Sequence, residues 1–242
     1  LSNQRRFLAD AAHQLKTPLA GLRMQAELAL RAQASEADLK QSLKQISRAS
    51  VSATRTVNQL LALARAEGSG QSLPKQSVNV AQLVQDVVRD ALPRALERQF
   101  DLGYEGLPAG DARAQIHGYP ALLTELVRNL IENALNYVPS TAEQPGVITA
   151  RVIDEPHTSD LLLQVEDNGL GIPIAERELV LQPFYRRLGQ EAEGSGLGLA
   201  IVAEIAKRHG AKLDIQPARL GAATPGVCFT LRFERAAPAS QA

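Results

Sequence analysis

A single histidine, His13, lies in a stretch whose apolar pattern predicts a helix. Thr17 follows four residues later, so the two side chains share one helical face. Pro18 comes next, and a proline inside a helix removes a hydrogen bond and crowds the preceding turn, which bends the helix. A helix built only for stability would not carry a proline at this place. The alternative interpretation is a surface histidine on a helical bundle, and the motifs further along the chain weaken it.

Three asparagines recur on the predicted helix ELVRNLIENALNY. Asn129, Asn133 and Asn136 are spaced by four and then three residues, which places all three amides on one face. Asparagine is a poor helix former, so three on one face need a reason. Amide oxygens can ligate a hard cation, and amide N–H groups can donate to phosphate oxygens. A solvated polar face is the alternative, although such a face more often uses Glu, Lys or Gln.

The segment VEDNGLGIP places Asp167 at the end of an alternating strand, with Gly169 and Gly171 directly after it. A carboxylate at a strand end can accept a hydrogen bond from an exocyclic amine. Glycines beside it let a flat base approach the backbone closely. Taken alone, the Asn-Gly pair in this segment also fits an ordinary turn.

A second glycine cluster, GSGLGLAIV, leads into an apolar helix, and backbone N–H groups at a helix start form an anion site. It is neither the dinucleotide-binding G-x-G-x-x-G nor a G-x-x-x-x-G-K phosphate loop. About twenty residues separate the two glycine clusters, and loops of that size are often lids. Phe184 could anchor such a lid, and Arg186 and Arg187 could reach a terminal phosphate. The alternative for the arginines is a surface basic pair.

Two heptad seams precede these motifs, one through residues 8–29 and one through residues 39–64. Each seam advances in alternating steps of four and three, the pattern of a helix packed against other helices. Ser35 is the predicted N-cap of the second helix. Two helices joined by a short loop make an antiparallel hairpin, and a four-helix bundle made by two chains would bury both seams. Docking of the hairpin on the rest of the chain is the alternative.

Beyond a glycine- and serine-rich linker at residues 68–77, the periodicity of the chain changes. Helices are predicted over residues 81–98, with Pro93 bending it or ending it early, and over 120–138, 174–182 and 197–209. Strands are predicted over residues 78–80, 100–104, 114–117, 147–153, 161–166, 212–216 and 227–233. This irregular order predicts an α+β sandwich with one mixed sheet and helices on one face.

Composition excludes several classes of protein. The 26 basic and 26 acidic residues cancel, which argues against a nucleic-acid binder with a broad basic surface. No apolar run approaches the roughly 18–20 residues of a membrane span, so no direct membrane contact is expected of this stretch. Cys228 is the single cysteine and is predicted to pack within a strand. His117, His157 and His209 have no metal-ligand spacing. The chain begins at Leu1 in helical register, which predicts a fragment lacking its N-terminal part.

Taken together and in order, five motifs resemble those of sensor histidine kinases of two-component signalling. AHQLKTPL resembles the H-box, NLIENALNY the N-box, EDNGLGIP the G1 box, PFYR the F-box and GSGLGLAIV the G2 box. The resemblance covers about residues 5–234. Within the family, FLADAAHQLKTPLAGL is most similar to sensors associated with tricarboxylate-transport regulation.

The resemblance implies a helical hairpin that forms a four-helix bundle as a dimer, followed by an α+β sandwich of the Bergerat ATP-binding type. The implied parts are a dimerisation and histidine phosphotransfer domain at 1–67, a linker at 68–76, a catalytic ATP-binding domain at 77–235 and a disordered tail at 236–242. It also implies ATP and Mg²⁺ as cofactors and a response-regulator receiver domain as partner. The chain would be the cytoplasmic portion of an inner-membrane bacterial sensor.

The family's functional residues carry over onto this sequence one by one. His13 would be the phosphoacceptor, and Thr17 resembles the residue that orients water when such kinases dephosphorylate their regulators. Asn133 would ligate Mg²⁺ with support from Asn129, and Asp167 would bind the adenine amino group. The nucleotide pocket and its lid would further involve Tyr137, Gly169, Gly171, Phe184, Arg186, Gly194, Gly196, Leu197 and Gly198.

Two positions depart from the family pattern. Gln14 follows the phosphoacceptor where Glu or Asp is usual; its carbonyl can still fix the imidazole tautomer but cannot stabilise an imidazolium. Autophosphorylation is therefore expected to be slower than in a Gln14→Glu variant. Asn136 stands where many relatives carry Lys or Arg, which leaves the phosphate contact at that position open. Two rival functions remain at this stage: a Bergerat-type ATPase, which usually carries a glutamate base in place of Asn129, and a degenerate ATP-binding dimeric scaffold.

Overall fold

The structure is a computed structural model that describes residues 16, 19–30, 35–67, 74–155, 158, 160–186 and 195–234. The chain divides into two compact units, Leu1–Arg65 and Ala66–Ala242. Among the described helices, none is both long enough and apolar enough to span a membrane. Seven residues singled out in the sequence lie outside the described part, namely His13, Gln14, Thr17, Pro18, His157, Arg187 and Gly194.

The first unit is helical: α1 covers residues 19–29 and α2 covers Glu36–Glu67. Ser35 begins α2 with a reciprocal cap. Its Oγ accepts from the backbone N–H of Asp38 (3.2 Å), and the Asp38 carboxylate accepts from the backbone N–H of Ser35 (3.1 Å). This pair satisfies N–H groups that a helix start otherwise leaves unbonded, and it confirms the predicted cap.

The helices of the first unit leave large apolar side chains in solvent, namely Leu19, Met24, Leu30, Leu43, Val51, Val57 and Leu61. Large apolar side chains exposed in this number are typical of a surface that packs against another one.

The second unit contains three helices and seven strands. The helices are α3 (Val80–Glu97), α4 (Pro120–Tyr137) and α5 (Gly198–His209). The strands are β1 (Gln76–Asn79), β2 (Phe100–Gly106), β3 (Gln115–Gly118), β4 (Gly146–Asp154), β5 (Asp160–Asp167), β6 (Lys212–Gln216) and β7 (Val227–Glu234). Single turns of 3₁₀ helix lie at Ala112–Ala114, Ile174–Glu176 and Leu179–Leu181.

The larger sheet has the strand order β2-β4-β5-β7-β6. β2 and β4 are parallel, and the other neighbours are antiparallel. A parallel pair needs a crossover, and the chain makes it here through β3 and α4. The prediction of one mixed sheet holds for these five strands, but β1 and β3 pair separately as a two-stranded antiparallel sheet.

One face of the larger sheet forms the core of the second unit. Burial alternates along β4 and β5, so that Ile148, Ala150 and Val152 on β4 are fully buried on the helix-covered side. On the other side Arg151 donates to the carboxylates of Glu105 and Glu166, each at 2.6 Å. The sheet therefore has an apolar face under the helices and a polar face that carries paired charges.

Three boundaries differ from the predicted ones. Val80 is the first residue of α3 rather than the end of a strand, because the Asn79 side chain accepts from the Gln82 N–H (2.9 Å) and caps the helix. α3 continues through Pro93 to Glu97, held by buried residues on both sides of the proline. The predicted helix over 174–182 is two separate 3₁₀ turns.

Candidate functional site

The asparagine face of α4 begins with a buried amide. Asn129 is buried, and its Nδ2 donates to the Glu125 carbonyl (2.8 Å) and to the Glu125 carboxylate (3.2 Å). Its Oδ1 faces the start of α5, where a Cβ added to Gly198 would lie 3.2 Å from that oxygen. The absence of a side chain at Gly198 thus lets α5 begin directly against Asn129.

Glu125 was not identified from the sequence. It lies one turn before Asn129, accepts from that amide and also pairs with Arg128 at 3.1 Å. Because the Glu125 carbonyl and carboxylate oxygens can only accept, they determine which end of the Asn129 amide carries the nitrogen. The spacing of four residues between the two side chains was the available signal.

Asn136 lies at the opposite end of the asparagine face and is joined to α3. Its Oδ1 accepts from the Arg94 guanidinium and from the Arg98 guanidinium, each at 3.3 Å. Arg94 also forms an ion pair with Glu132, which lies one turn before Asn136 on α4. The sequence predicted the position of Asn136 on this face but not the arginines that reach it.

Asp167 is the last residue of β5 and is buried. Burial raises the pKa of its carboxyl group to about 6, although hydrogen bonds from the backbones of Gly169 and Val227 act in the opposite direction. The Gly169 N–H donates to Oδ1 at 2.9 Å. A carboxylate held in this way, mostly out of water, is a strong hydrogen-bond acceptor for a neutral donor such as an aromatic amine.

Backbone packing around Asp167 requires a glycine that the sequence analysis missed. Gly226 has φ +64°, and a Cβ there would lie 2.0 Å from the Asp167 carbonyl oxygen. Its N–H donates to the Gly169 carbonyl (2.9 Å), which ties the loop before β7 to the segment after β5. The Pro-Gly pair just before a predicted strand was a turn signal, but only the folded chain brings it next to Asp167.

The middle of the predicted lid segment is joined to the second glycine cluster. The Phe184 N–H donates to the Gly196 carbonyl at 2.9 Å, and Phe184 adopts a φ of +65°, a region that a bulky residue rarely occupies. A Cβ on Gly196 would lie 2.8 Å from the Phe184 backbone. Leu197, which follows Gly196, is fully buried. Arg186 is exposed and Tyr137 is half-buried.

The structure thus brings several predicted residues into contact. Asn129 lies against Gly198, Asp167 against Gly169, and Phe184 against Gly196, while Gly169 packs on Val138 at the end of α4. Asn133 lies half-buried on α4 between Asn129 and Asn136. In the described part of the chain, no cluster of three or more His, Cys, Asp or Glu side chains could hold a metal ion.

His209, for which the sequence indicates no metal-ligand spacing, has a structural role in the fold. The Tyr119 N–H donates to its Nε2 (3.0 Å), and its Nδ1 lies 2.8 Å from the Ile205 carbonyl, which specifies the neutral tautomer protonated on Nδ1. Burial lowers the pKa of this imidazole. The ring also meets Tyr119 and Phe233 edge-on.

Two protein families match the chain. The family described as histidine kinase-, DNA gyrase B-, and HSP90-like ATPase matches residues 118–237. The family described as the His Kinase A (phospho-acceptor) domain matches residues 3–69. The second match includes the predicted phosphoacceptor, and the first includes α4, Asp167 and both glycine clusters.

Curated relatives match most of this chain. Sensor protein kinase PmrB of Pseudomonas aeruginosa is 34% identical over 210 residues, which make up 86% of this chain and 42% of that protein. Signal transduction histidine-protein kinase/phosphatase MprB of a Mycobacterium strain is 34% identical over 233 residues, or 93% of this chain and 42% of that protein. The chain therefore spans less than half the length of these relatives.

A solved structure shares the fold. Histidine kinase ThkA, crystallised in complex with the response regulator protein TrrA, superposes with a TM-score of 0.71 at 16% identity, covering 96% of this chain and 61% of that one. At this identity the similarity concerns the fold alone.

Proposed function

The chain belongs to the sensor histidine kinase family, and we propose that it autophosphorylates His13 from ATP as the kinase portion of a two-component sensor. The observation that supports this most directly is the proximity of two features in the second unit. Gly169 connects the buried Asp167 carboxylate to the C-terminal end of the helix that carries the asparagines, because a Cβ added to Gly169 would lie 3.1 Å from the Asp167 Oδ1 and 2.9 Å from a side-chain carbon of Val138, the C-cap of α4. This arrangement offers an acceptor for a base amine beside amides suited to phosphates.

The nucleotide would lie across α4. Asp167 would accept a hydrogen bond from the adenine amino group. The glycines next to it have no side chain, so the base can approach the backbone closely. The Asn129 oxygen faces Gly198, and together with Asn133 it offers the hard ligands that Mg²⁺ takes alongside phosphate oxygens, so an acidic cluster is not required. When bound, Mg²⁺ would neutralise charge on the phosphates.

The reaction is an in-line transfer. The neutral imidazole of His13 attacks the terminal phosphorus of ATP, the bond between that phosphorus and the bridging oxygen breaks, ADP leaves and the imidazole loses its N–H proton. A histidine with a pKa of about 6.5 is largely neutral near pH 7 and needs little activation. Gln14 orients the ring through its carbonyl, and catalysis depends mostly on positioning and charge neutralisation.

The parts proposed from the sequence are residues 1–67 for dimerisation and phosphotransfer and residues 77–235 for nucleotide binding, joined by a linker at 68–76. The exposed apolar side chains of α1 and α2 support a homodimer. A response-regulator aspartate would receive the phosphoryl group, and Thr17 would assist its removal, as the kinase/phosphatase name of one relative suggests. The chain would be the cytoplasmic part of a membrane sensor. Assignment to the tricarboxylate-sensing subgroup stays a prediction.

ATP hydrolysis is the rival reaction, and the contacts of Glu125 disfavour it. A hydrolase needs a carboxylate free to activate water. Glu125 lies one turn before Asn129, and its carboxylate accepts from the Asn129 amide and pairs with Arg128. These two contacts hold the Glu125 carboxylate against neighbouring side chains of its own helix.

The test is incubation with γ-labelled ATP and Mg²⁺, followed by acid and base treatment of the labelled protein. A kinase gives a label that is stable in base and lost in acid, and that moves to a receiver domain added afterwards. The Gln14→Glu variant should label faster than the parent chain. Steady release of labelled phosphate without labelled protein would establish the ATPase, and bound ATP with neither product would establish the scaffold.

A further inference from the structure

Two arginines of α3 end at the asparagine face of α4. Arg94 and Arg98 both donate to the Asn136 side-chain oxygen at 3.3 Å, one from inside the last turn of α3 and one from the residue that caps it. No feature of the sequence connects these residues, because 38 or more positions separate them along the chain.

The two guanidinium groups are held rather than loose. Arg94 is anchored by its ion pair with Glu132, and Arg98 lies over the Phe100 ring, 5.9 Å from the ring centroid. Arg94 nevertheless keeps 40% of its side chain exposed, and Arg98 is exposed. Because a guanidinium carries five N–H donors, these contacts leave capacity for a further acceptor.

Phosphoryl transfer needs cations near the phosphate oxygens, where the charge is concentrated. On α4 the asparagine face itself offers only neutral amides, and Asn136 can present no positive charge. Its side-chain oxygen instead accepts hydrogen bonds from two positively charged guanidinium groups, those of Arg94 and Arg98. Arginine is well suited to this use, since its planar fork matches two phosphate oxygens.

We propose that Arg94 and Arg98 bind the phosphates of the nucleotide. The Asn136 side-chain oxygen accepts from both guanidinium groups and thereby holds them next to the asparagine face. This inference rests on the proposed function and identifies which cations of that site α3 supplies. Glu132 competes for Arg94, so the ion pair weakens phosphate binding by sharing the same guanidinium.

The experiment compares ATP with adenosine, because the two ligands share the base and ribose and differ in the phosphates. In the Arg94→Gln/Arg98→Gln variant, ATP affinity should fall by about tenfold or more while adenosine affinity stays at the parent value. Arg89→Gln is the matched control: Arg89 lies on the same helix but pairs with Asp86 at 2.8 Å, and its loss should change neither affinity.

A second set of variants separates contact from simple charge balance. Glu132→Gln should tighten ATP binding, because Arg94 is then no longer shared. Arg94→Gln/Glu132→Gln removes one charge of each sign, and it should still bind ATP more weakly than Glu132→Gln alone. Asn136→Lys, added to the Arg94→Gln/Arg98→Gln variant, should restore much of the preference for ATP over adenosine.

Each contrary result has a distinct meaning. Equal losses of ATP and adenosine affinity, with a lower melting temperature, would show that the arginines only join α3 to α4 and would overturn the inference. Unchanged ATP affinity in Arg94→Gln/Arg98→Gln would overturn it as well. Failure of the parent chain to bind ATP would instead overturn the proposed function, so the two failures are distinguishable.

Discussion

The two units of this protein use the same amphipathic pattern with opposite results. On α2, residues of the predicted apolar seam remain in solvent, with Leu43 62% exposed and Val57 41% exposed. On α4, the apolar stripe is covered by the sheet and the flanking helices, and Leu126 and Leu130 are at most 1% exposed. The second unit therefore completes its own core, whereas the first unit needs another apolar surface.

The chemistry follows the same division. The residues proposed to bind the nucleotide in the second unit include Asp167, whose backbone is in close contact with that of Gly226. The proposed nucleophile, His13, belongs to the sequence of the first unit and precedes Pro18. In the proposed account, the second unit fixes the position of the nucleotide, and the first unit presents the histidine side chain that accepts the phosphoryl group.

The largest effect on the second unit is expected from Gly226→Ala. The new Cβ would overlap the Asp167 carbonyl, and the left-handed backbone disfavours any side chain, so unfolding free energy should fall by about 3 kcal/mol or more. Gly210→Ala is the control, since Gly210 has a φ of +70° but nothing within 4 Å of an added Cβ. It should cost only about 1 kcal/mol. Equal losses in urea titrations would show that the contact with Asp167 is unimportant.

Asp167→Asn should separate stability from function. The pKa of Asp167 is raised to about 6, so the folded chain binds the proton more tightly than the unfolded chain does. The carboxyl group therefore favours folding at low pH, and this contribution is lost as pH rises through about 6. At pH 7 the variant should be more stable by up to about 3 kcal/mol, with ATP affinity reduced about tenfold or more.

The pH profile is the check on Asp167. The stability advantage of Asp167→Asn should shrink toward zero as the pH falls to about 4, where the parent carboxyl is protonated in the folded state. A variant that is less stable than the parent at pH 7 would contradict the burial argument. Unchanged ATP affinity would contradict the assignment of Asp167 to the base.

In the first unit, Leu43→Gln/Val57→Gln should weaken the dimer and leave the melting of the second unit unchanged. Both side chains are exposed in the single chain. Their replacement therefore removes apolar surface that a second chain would cover, and it leaves the packing within one chain unchanged. Lys44→Gln, at an exposed neighbouring position, is the control. Sedimentation equilibrium should show a shift toward monomer in the double variant alone. A parent chain that is monomeric at high concentration would contradict the role given to the seam.

The smallest effect is expected from His209→Gln. Because burial lowers the pKa of His209, the neutral ring favours folding above its ordinary pKa of about 6.5, and this contribution is lost as the pH falls below that value. The variant should lose about 1 kcal/mol at pH 7.5 through its weaker bond to the Tyr119 N–H. Its stability should also vary less than that of the parent between pH 5 and 7. Parallel pH profiles would rule out this histidine as a titrating group.

Much of the architecture was predictable because it is encoded locally. The alternation along β4 and β5 and the serine before α2 each specify their structure through neighbouring residues. Phe184 in a left-handed conformation was not predictable, since its bond to Gly196 forms only in the folded chain. Arg94 and Gly226 were missed for the same reason: their roles come from contacts that tertiary folding creates between distant positions.

The most direct test of the account is to measure phosphoryl labelling and nucleotide binding together on the His13→Ala variant. If the second unit holds the nucleotide and His13 only accepts the phosphoryl group, the variant binds ATP with the affinity of the parent and takes up no label from γ-labelled ATP. Label retained on His13→Ala would show that another residue is the acceptor. Loss of ATP binding in this variant would show that the nucleotide site is not contained in the second unit.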